Sequence, residues 1–139
     1  MTIDDNLRSE VQELLAFFSE AELLVLRTHI SIHRWATITV ARARKVPPES
    51  LRRLSFLAAV REAHGPRMPQ DLFNAMRVLN DARNIVAHEE LTGDMFIKVG
   101  ELGRTIKGST YIEDPATPGE AHHQFRYVLS FVQAWATNP

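Results

Sequence analysis

Apolar residues recur along most of the chain at intervals of three and four, the spacing that gathers side chains on one face of an α-helix. Leu7, Val11, Leu14, Leu15 and Phe18 keep this spacing and predict a first helix near residues 4–18. Ser19-Glu20-Ala21-Glu22 reads as a capping box, a serine and a glutamate three positions later that satisfy free N–H groups where a helix begins. A second helix is expected from there to about Lys45. It is apolar on nearly every side (Leu23, Leu24, Leu26, Ile30, Ile32, Trp35, Ile38, Val40), which predicts a central position. Pro47-Pro48 stops it and opens a third helix at Glu49.

Gly65-Pro66 ends the third helix, and Pro69 begins a fourth that runs to about Leu91, with Gly93 as its stop. Residues 94–103 are expected to form one short helix. Residues 104–119, rich in Gly, Pro, Ser and Thr, read as a loop with a small strand pair at Thr110–Ile112. A last helix near 120–136 carries the stripe Ala121, Phe125, Val128, Val132 and Trp135. Neither an internal repeat nor a domain boundary is visible. The expectation is one all-α domain over 1–139, a bundle of about five helices.

Composition narrows the picture. With 139 residues, 45% of them hydrophobic, the chain can bury a core without metal or disulfide staples. It has no cysteine, so disulfides and thiolate metal sites are excluded, in keeping with a reducing cytoplasm. No segment carries the roughly 18 uncharged apolar residues of a membrane span. The acidic start, Met-Thr-Ile-Asp-Asp, lacks the basic-then-apolar order of a signal peptide. A cytoplasmic protein with no membrane partner is expected.

The net charge of −1 does not mark a nucleic-acid binder, but its distribution is uneven. Residues 1–26 carry six acids and one base, residues 27–67 nine bases and two acids, and residues 68–139 six bases and nine acids. The basic middle third offers a phosphate-attracting face through Arg42, Arg44, Lys45, Arg52 and Arg53. The alternative is a set of solvated helix faces paired with the acidic flanks.

The richest chemical constellation is Arg83-Asn84-Ile85-Val86-Ala87-His88, within the fourth helix. An arginine cannot lose its proton, and its planar fork matches phosphate oxygens. A histidine titrates near neutral pH and can take a proton from a ribose 2′-hydroxyl or give one to a leaving oxygen. At about 100° per residue, Leu72, Met76, Leu79 and Val86 share a narrow stripe with Arg83 in its middle. A buried, unpaired arginine is costly, so Arg83 must be paired, ligand-bound, or turned to a cleft or partner subunit. Asn84 and His88 share another face beside Arg77, with His88 roughly 140° from Arg83. A joint site then requires a bent helix end or two copies of the motif across a dimer. The structural alternative is that Arg83 pairs with an acid such as Asp81 or Glu90 while His88 caps a helix end.

This Arg-Asn-x3-His run resembles the signature of HEPN domains (higher eukaryotes and prokaryotes nucleotide-binding), and the helical pattern fits theirs. The motif covers six residues and its helix about twenty; the remainder agrees only as a helical pattern. Many members are metal-independent endoribonucleases of toxin–antitoxin, phage-defence and CRISPR systems whose site forms where two motifs meet in a dimer. The resemblance implies that Arg83 binds phosphate and stabilises the transition state, His88 is the acid/base and Asn84 orients the site. It implies a homodimer acting on RNA without metal, leaving a 2′,3′-cyclic phosphate, and a separately encoded antitoxin or regulatory partner. No cofactor is expected, and Arg77, beside the Asn84–His88 face, joins the basic third as an expected RNA contact. Other members are non-catalytic and bind nucleotide, RNA or a protein partner, which is the second expectation.

Other histidines read more plainly. His29 and His33 have the i,i+4 spacing of metal ligands, but no nearby carboxylate completes a site, and core or surface roles are expected. His64 reads as a helix C-terminal histidine favoured by the dipole. His122 and His123 are adjacent, so at most one lines any site. Trp35 and Trp135 fall in apolar patterns and are assigned to core or interface.

Overall fold

The computed structural model of the protein describes residues 3–87, Glu101 and residues 118–138. Every regular element among them is helical: α1 (Ile3–Arg44), α2 (Phe56–His64), α3 (Gln70–Ala87) and α4 (Pro118–Ala136), with short 3-10 turns at Pro48–Leu51 and Gly65–Arg67. The expected helix at 94–103, the strand pair at Thr110–Ile112 and His88 lie outside the described residues, apart from helical Glu101. No described helix is long and apolar enough to cross a membrane.

The two expected N-terminal helices are one. α1 runs unbroken for 42 residues, about 63 Å at 1.5 Å per residue. Ser19 sits exposed in mid-helix, and the Ser19–Glu22 box caps nothing. Neither glycine nor proline interrupts residues 3–44, and the glutamates and leucines around Ser19 are good helix formers. A capping sequence acts as a cap only where the backbone already ends. α1 does end at the expected place, and it does so without glycine. Lys45 takes the left-handed conformation (φ 59°), Val46 donates to the Ala41 carbonyl at 3.0 Å and Lys45 to that of Arg42 at 3.3 Å, a Schellman closure.

The third helix was expected at Glu49 and instead begins at Phe56. Pro48–Leu51 forms a single 3-10 turn that seats Leu51 on Val40 and Ala41. Ser55, extended, then caps α2 through Oγ, which accepts from the Ala58 N–H at 3.3 Å. α2 stops at Gly65, whose φ of 72° suits a residue without Cβ.

One apolar core joins the four helices. α1 contributes Ala21, Val25, Ile32 and Ala36, α2 Phe56 and Val60, α3 Leu72, Met76 and Leu79, and α4 Phe125, Val128 and Val132. α1 touches each of the other helices and the Pro48–Leu51 turn, the central role its apolar pattern predicts. Its coverage is incomplete, however: Leu23 and Ile30 stay exposed. Trp35 and Trp135 are half-buried against the core. His64, the last residue of α2, donates from Nε2 to the Ala136 carbonyl at the end of α4. Arg61 lies 4.3 Å over the Phe73 ring and ties α2 to α3.

Candidate functional site

α3 buries its stripe within the subunit, and this places the motif. Leu72, Ala75, Met76, Leu79 and Ala82 are all in the core, so the helix meets the rest of its own bundle through the face that the wheel drew around Arg83. Ala75 and Ala82 widen the buried arc on one side, and Arg83 still falls within it, between Leu72 and Met76. Arg83 is nevertheless exposed, one turn before the last residue of α3. Of the fates open to it, the structure gives the cleft. Asn84 and Arg77 are also exposed. Arg83 donates to Asn84 Oδ1 at 3.3 Å. Among the described residues it has no carboxylate partner, and Asp81 does not pair with it.

The cleft beside Arg83 encloses about 590 Å3. One stripe of α1 forms its floor and wall: Leu26, His29, Ile30, His33 and Arg34 recur at the three- and four-residue spacing of a single helix face. The Pro48–Leu51 turn closes one side and delivers Arg52, while α3 delivers Arg83. Three arginines from three segments thus surround one opening. Among the described residues no aspartate or glutamate lines it, and neither Arg34 nor Arg52 has an ion-pair partner there.

The floor is fixed by histidines. His29 is buried and lies flat on Phe56, with ring centres 4.0 Å apart. Its Nε2–H donates to Asn80 Oδ1 at 3.0 Å, which links α1 to α3 one turn before Arg83. Burial lowers its pKa; the Asn80 bond opposes this, and nearby Arg83 and His33 add to the lowering. His33 donates from Nε2 to the Leu54 carbonyl at 3.3 Å and meets Phe56 edge-on. The i,i+4 pair therefore spends both Nε2 atoms on protein oxygens, and the two rings stand nearly perpendicular. They are structural histidines, as their lack of a carboxylate neighbour suggests.

The basic third is only partly assembled. Arg42, Arg44, Lys45, Arg52 and Arg53 are all exposed. Arg44 is committed to Glu62 through two hydrogen bonds, one of them from Nε at 2.7 Å, so a partner on α2 already occupies its fork. Arg52 lines the cleft with Arg83, and its Nε donates to the Glu49 carbonyl at 3.3 Å. Arg34 was missed. It lies one turn before Thr37 and Ile38 in a helix read for its apolar residues, and nothing local marks it; the available signal was its i,i+4 place between Ile30 and Ile38. Asn80 was missed for the same reason, since its partner is 51 positions away. No family model, curated protein or solved structure matches the chain, so the reading rests on its own residues.

Proposed function

We propose that the protein is a HEPN-type, metal-independent endoribonuclease that works as a two-fold dimer, with Arg83, Asn84 and His88 as its site. The observation that supports this reading is the state of Arg83. It is exposed, bonded to the motif's own Asn84, unpaired with any described carboxylate, and set beside two further arginines. An exposed guanidinium with no carboxylate on its fork keeps donors available for a phosphate, whose oxygens that fork matches. Arg83 grips the scissile phosphate. One histidine removes the 2′-hydroxyl proton as that oxygen attacks phosphorus. The P–O5′ bond breaks, and a protonated histidine gives its proton to the departing oxygen. The products are a 2′,3′-cyclic phosphate and a 5′-hydroxyl. The angle of roughly 140° that regular helical spacing would set between Arg83 and His88 is the reason for invoking a second copy of the motif, and a separately encoded antitoxin is the partner such an activity would call for.

A broad RNA panel tests this in the presence of EDTA. Cleavage is expected to persist with EDTA and to fall about 10²–10⁴-fold in His88→Ala. Arg83→Ala should fall similarly and Asn84→Ala less. Because Arg83 is exposed, Arg83→Ala should melt close to the parent protein. Light scattering should give a dimer. A monomer, or a parent protein inert on every RNA, defeats the reading.

The second reading is a HEPN-like protein that binds RNA or a protein partner without cutting. Its support is that Arg34, Arg52 and Arg83 line one cleft, an arrangement suited to an anion without help from His88. Tight RNA binding with no cleavage, unchanged in His88→Ala, decides for it.

A further inference from the structure

The cleft has chemistry that phosphodiester cleavage leaves unused. Arg34, Arg52 and Arg83 face one opening from α1, from the segment after the Pro48–Leu51 turn and from α3. Like charges around a common space repel, and among the described lining residues no carboxylate offsets them. His29 adds no positive charge at neutral pH, because burial and the adjoining guanidinium hold its pKa down. The remaining wall is apolar: Leu26, Ile30, Ile38 and Leu51. Ile30, 56% exposed, stands at the lip as a large apolar side chain left in water.

We infer that this cleft binds a small organic phosphomonoester, with its phosphate among the three arginines and a compact apolar or aromatic body against α1. Three arguments select this class. A carboxylate is satisfied by one arginine fork, whereas a phosphomonoester carries nearly two charges and three terminal oxygens, enough for guanidinium groups from three directions. Inorganic phosphate would leave the Leu26–Ile30–Ile38 wall wet, so the ligand carries an apolar part. The volume of about 590 Å3 falls within the range of about 300–1,000 Å3 common to small-molecule pockets. The site is also held in shape before any ligand arrives, since Asn80 and Phe56 fix His29 and the Leu54 carbonyl fixes His33. The inference stands whether or not the protein cuts RNA. If it does, the ligand takes Arg83 away from the RNA.

Calorimetric titration of the full chain with 1-naphthyl phosphate tests it, with inorganic phosphate, 1-naphthol and a short RNA lacking terminal phosphates as comparisons. One equivalent of 1-naphthyl phosphate should bind, about tenfold or more tighter than either inorganic phosphate or 1-naphthol. Arg34→Gln combined with Arg52→Gln should weaken it about tenfold or more, the loss expected when charge-assisted hydrogen bonds go. Ile30→Asp, a change at an exposed position, should weaken it as well without lowering the melting temperature. Amide shifts should concentrate at residues 26–38. Equal affinity for 1-naphthyl phosphate and inorganic phosphate overturns the inference, as does binding indifferent to the arginine changes. Tighter binding of the RNA at the same residues overturns it in favour of a nucleic-acid groove. RNA cleavage is not a readout here, so failure of the nuclease proposal and failure of this one are told apart.

Discussion

His29 spans two helices with one hydrogen bond and lies flat on a phenyl ring, and its burial favours the neutral imidazole although the Asn80 bond pulls the other way. Its Nε2–H has an acceptor in Asn80, while protonation would add a charge beside Arg83 and beneath Phe56. A histidine whose folded pKa lies below its unfolded value of about 6.5 takes up protons more readily in the unfolded chain. Its effect on stability is absent above that value and grows as pH falls through the window beneath it. The protein should therefore lose stability as pH drops from about 7 towards 5, and His29→Gln should flatten that part of the profile. Melts at a series of pH values check this. An unchanged slope in His29→Gln would assign the loss to other groups.

At the scale of elements, two serines that look alike as caps make opposite predictions. Ser19 lies in the interior of α1, so Ser19→Ala should be neutral or stabilise by a few tenths of a kcal/mol, about the difference in helix propensity. Ser55 holds the first turn of α2, so Ser55→Ala should cost about 1 kcal/mol. Denaturant titration of the two variants reads both. Lys45 ends α1 in a left-handed conformation that costs an ordinary residue roughly 1–2 kcal/mol, part of which glycine returns in backbone entropy. Lys45→Gly should stabilise the protein by about 0.5–1 kcal/mol, and a loss would show that the lysine side chain contributes there. These positions also mark what the chain reveals in advance. The apolar periodicity of α1, α3 and α4 is visible because each buries one continuous stripe. Breaks between helices are less visible, because the fuller capping signal, Ser19 with Glu22 three positions on, lies inside a helix, while the working cap Ser55 is followed by Ala58 at that position. The Arg83–His88 run is legible as a motif; the cleft is not, since Arg34, Arg52 and Arg83 converge only in three dimensions.

For the molecule as a whole, the uneven charge sets the terms of any encounter with RNA. Exposed Arg42, Lys45 and Arg53 near the end of α1 are free of described carboxylate partners, unlike Arg44. If they receive RNA, affinity should fall steeply with salt, because each phosphate contact releases counterions. Arg42→Glu with Arg53→Glu should weaken binding to every sequence alike and make the salt dependence shallower, and it leaves the cleft arginines intact. Filter binding at several salt concentrations decides, and an unchanged slope would make these residues a solvated surface.

The unbroken α1 gives this charge a direction. Its first half carries Asp4, Asp5, Glu10, Glu13, Glu20 and Glu22 against Arg8, and its second half carries only Arg27, Arg34, Arg42 and Arg44. Acids thus lie towards the end where the helix dipole is positive and bases towards the end where it is negative, an arrangement that favours the helix itself. The same rod is a permanent electric dipole, about 63 Å long, in a protein with a net charge of −1. A distant polyanion pulls such a molecule only weakly, yet exerts a torque on it. Rotation then precedes attraction: the basic end, with Arg52 and the cleft behind it, turns to face the polymer before any residue makes contact. Within a Debye length, about 8 Å at physiological salt, orientation ceases to be a matter of chance.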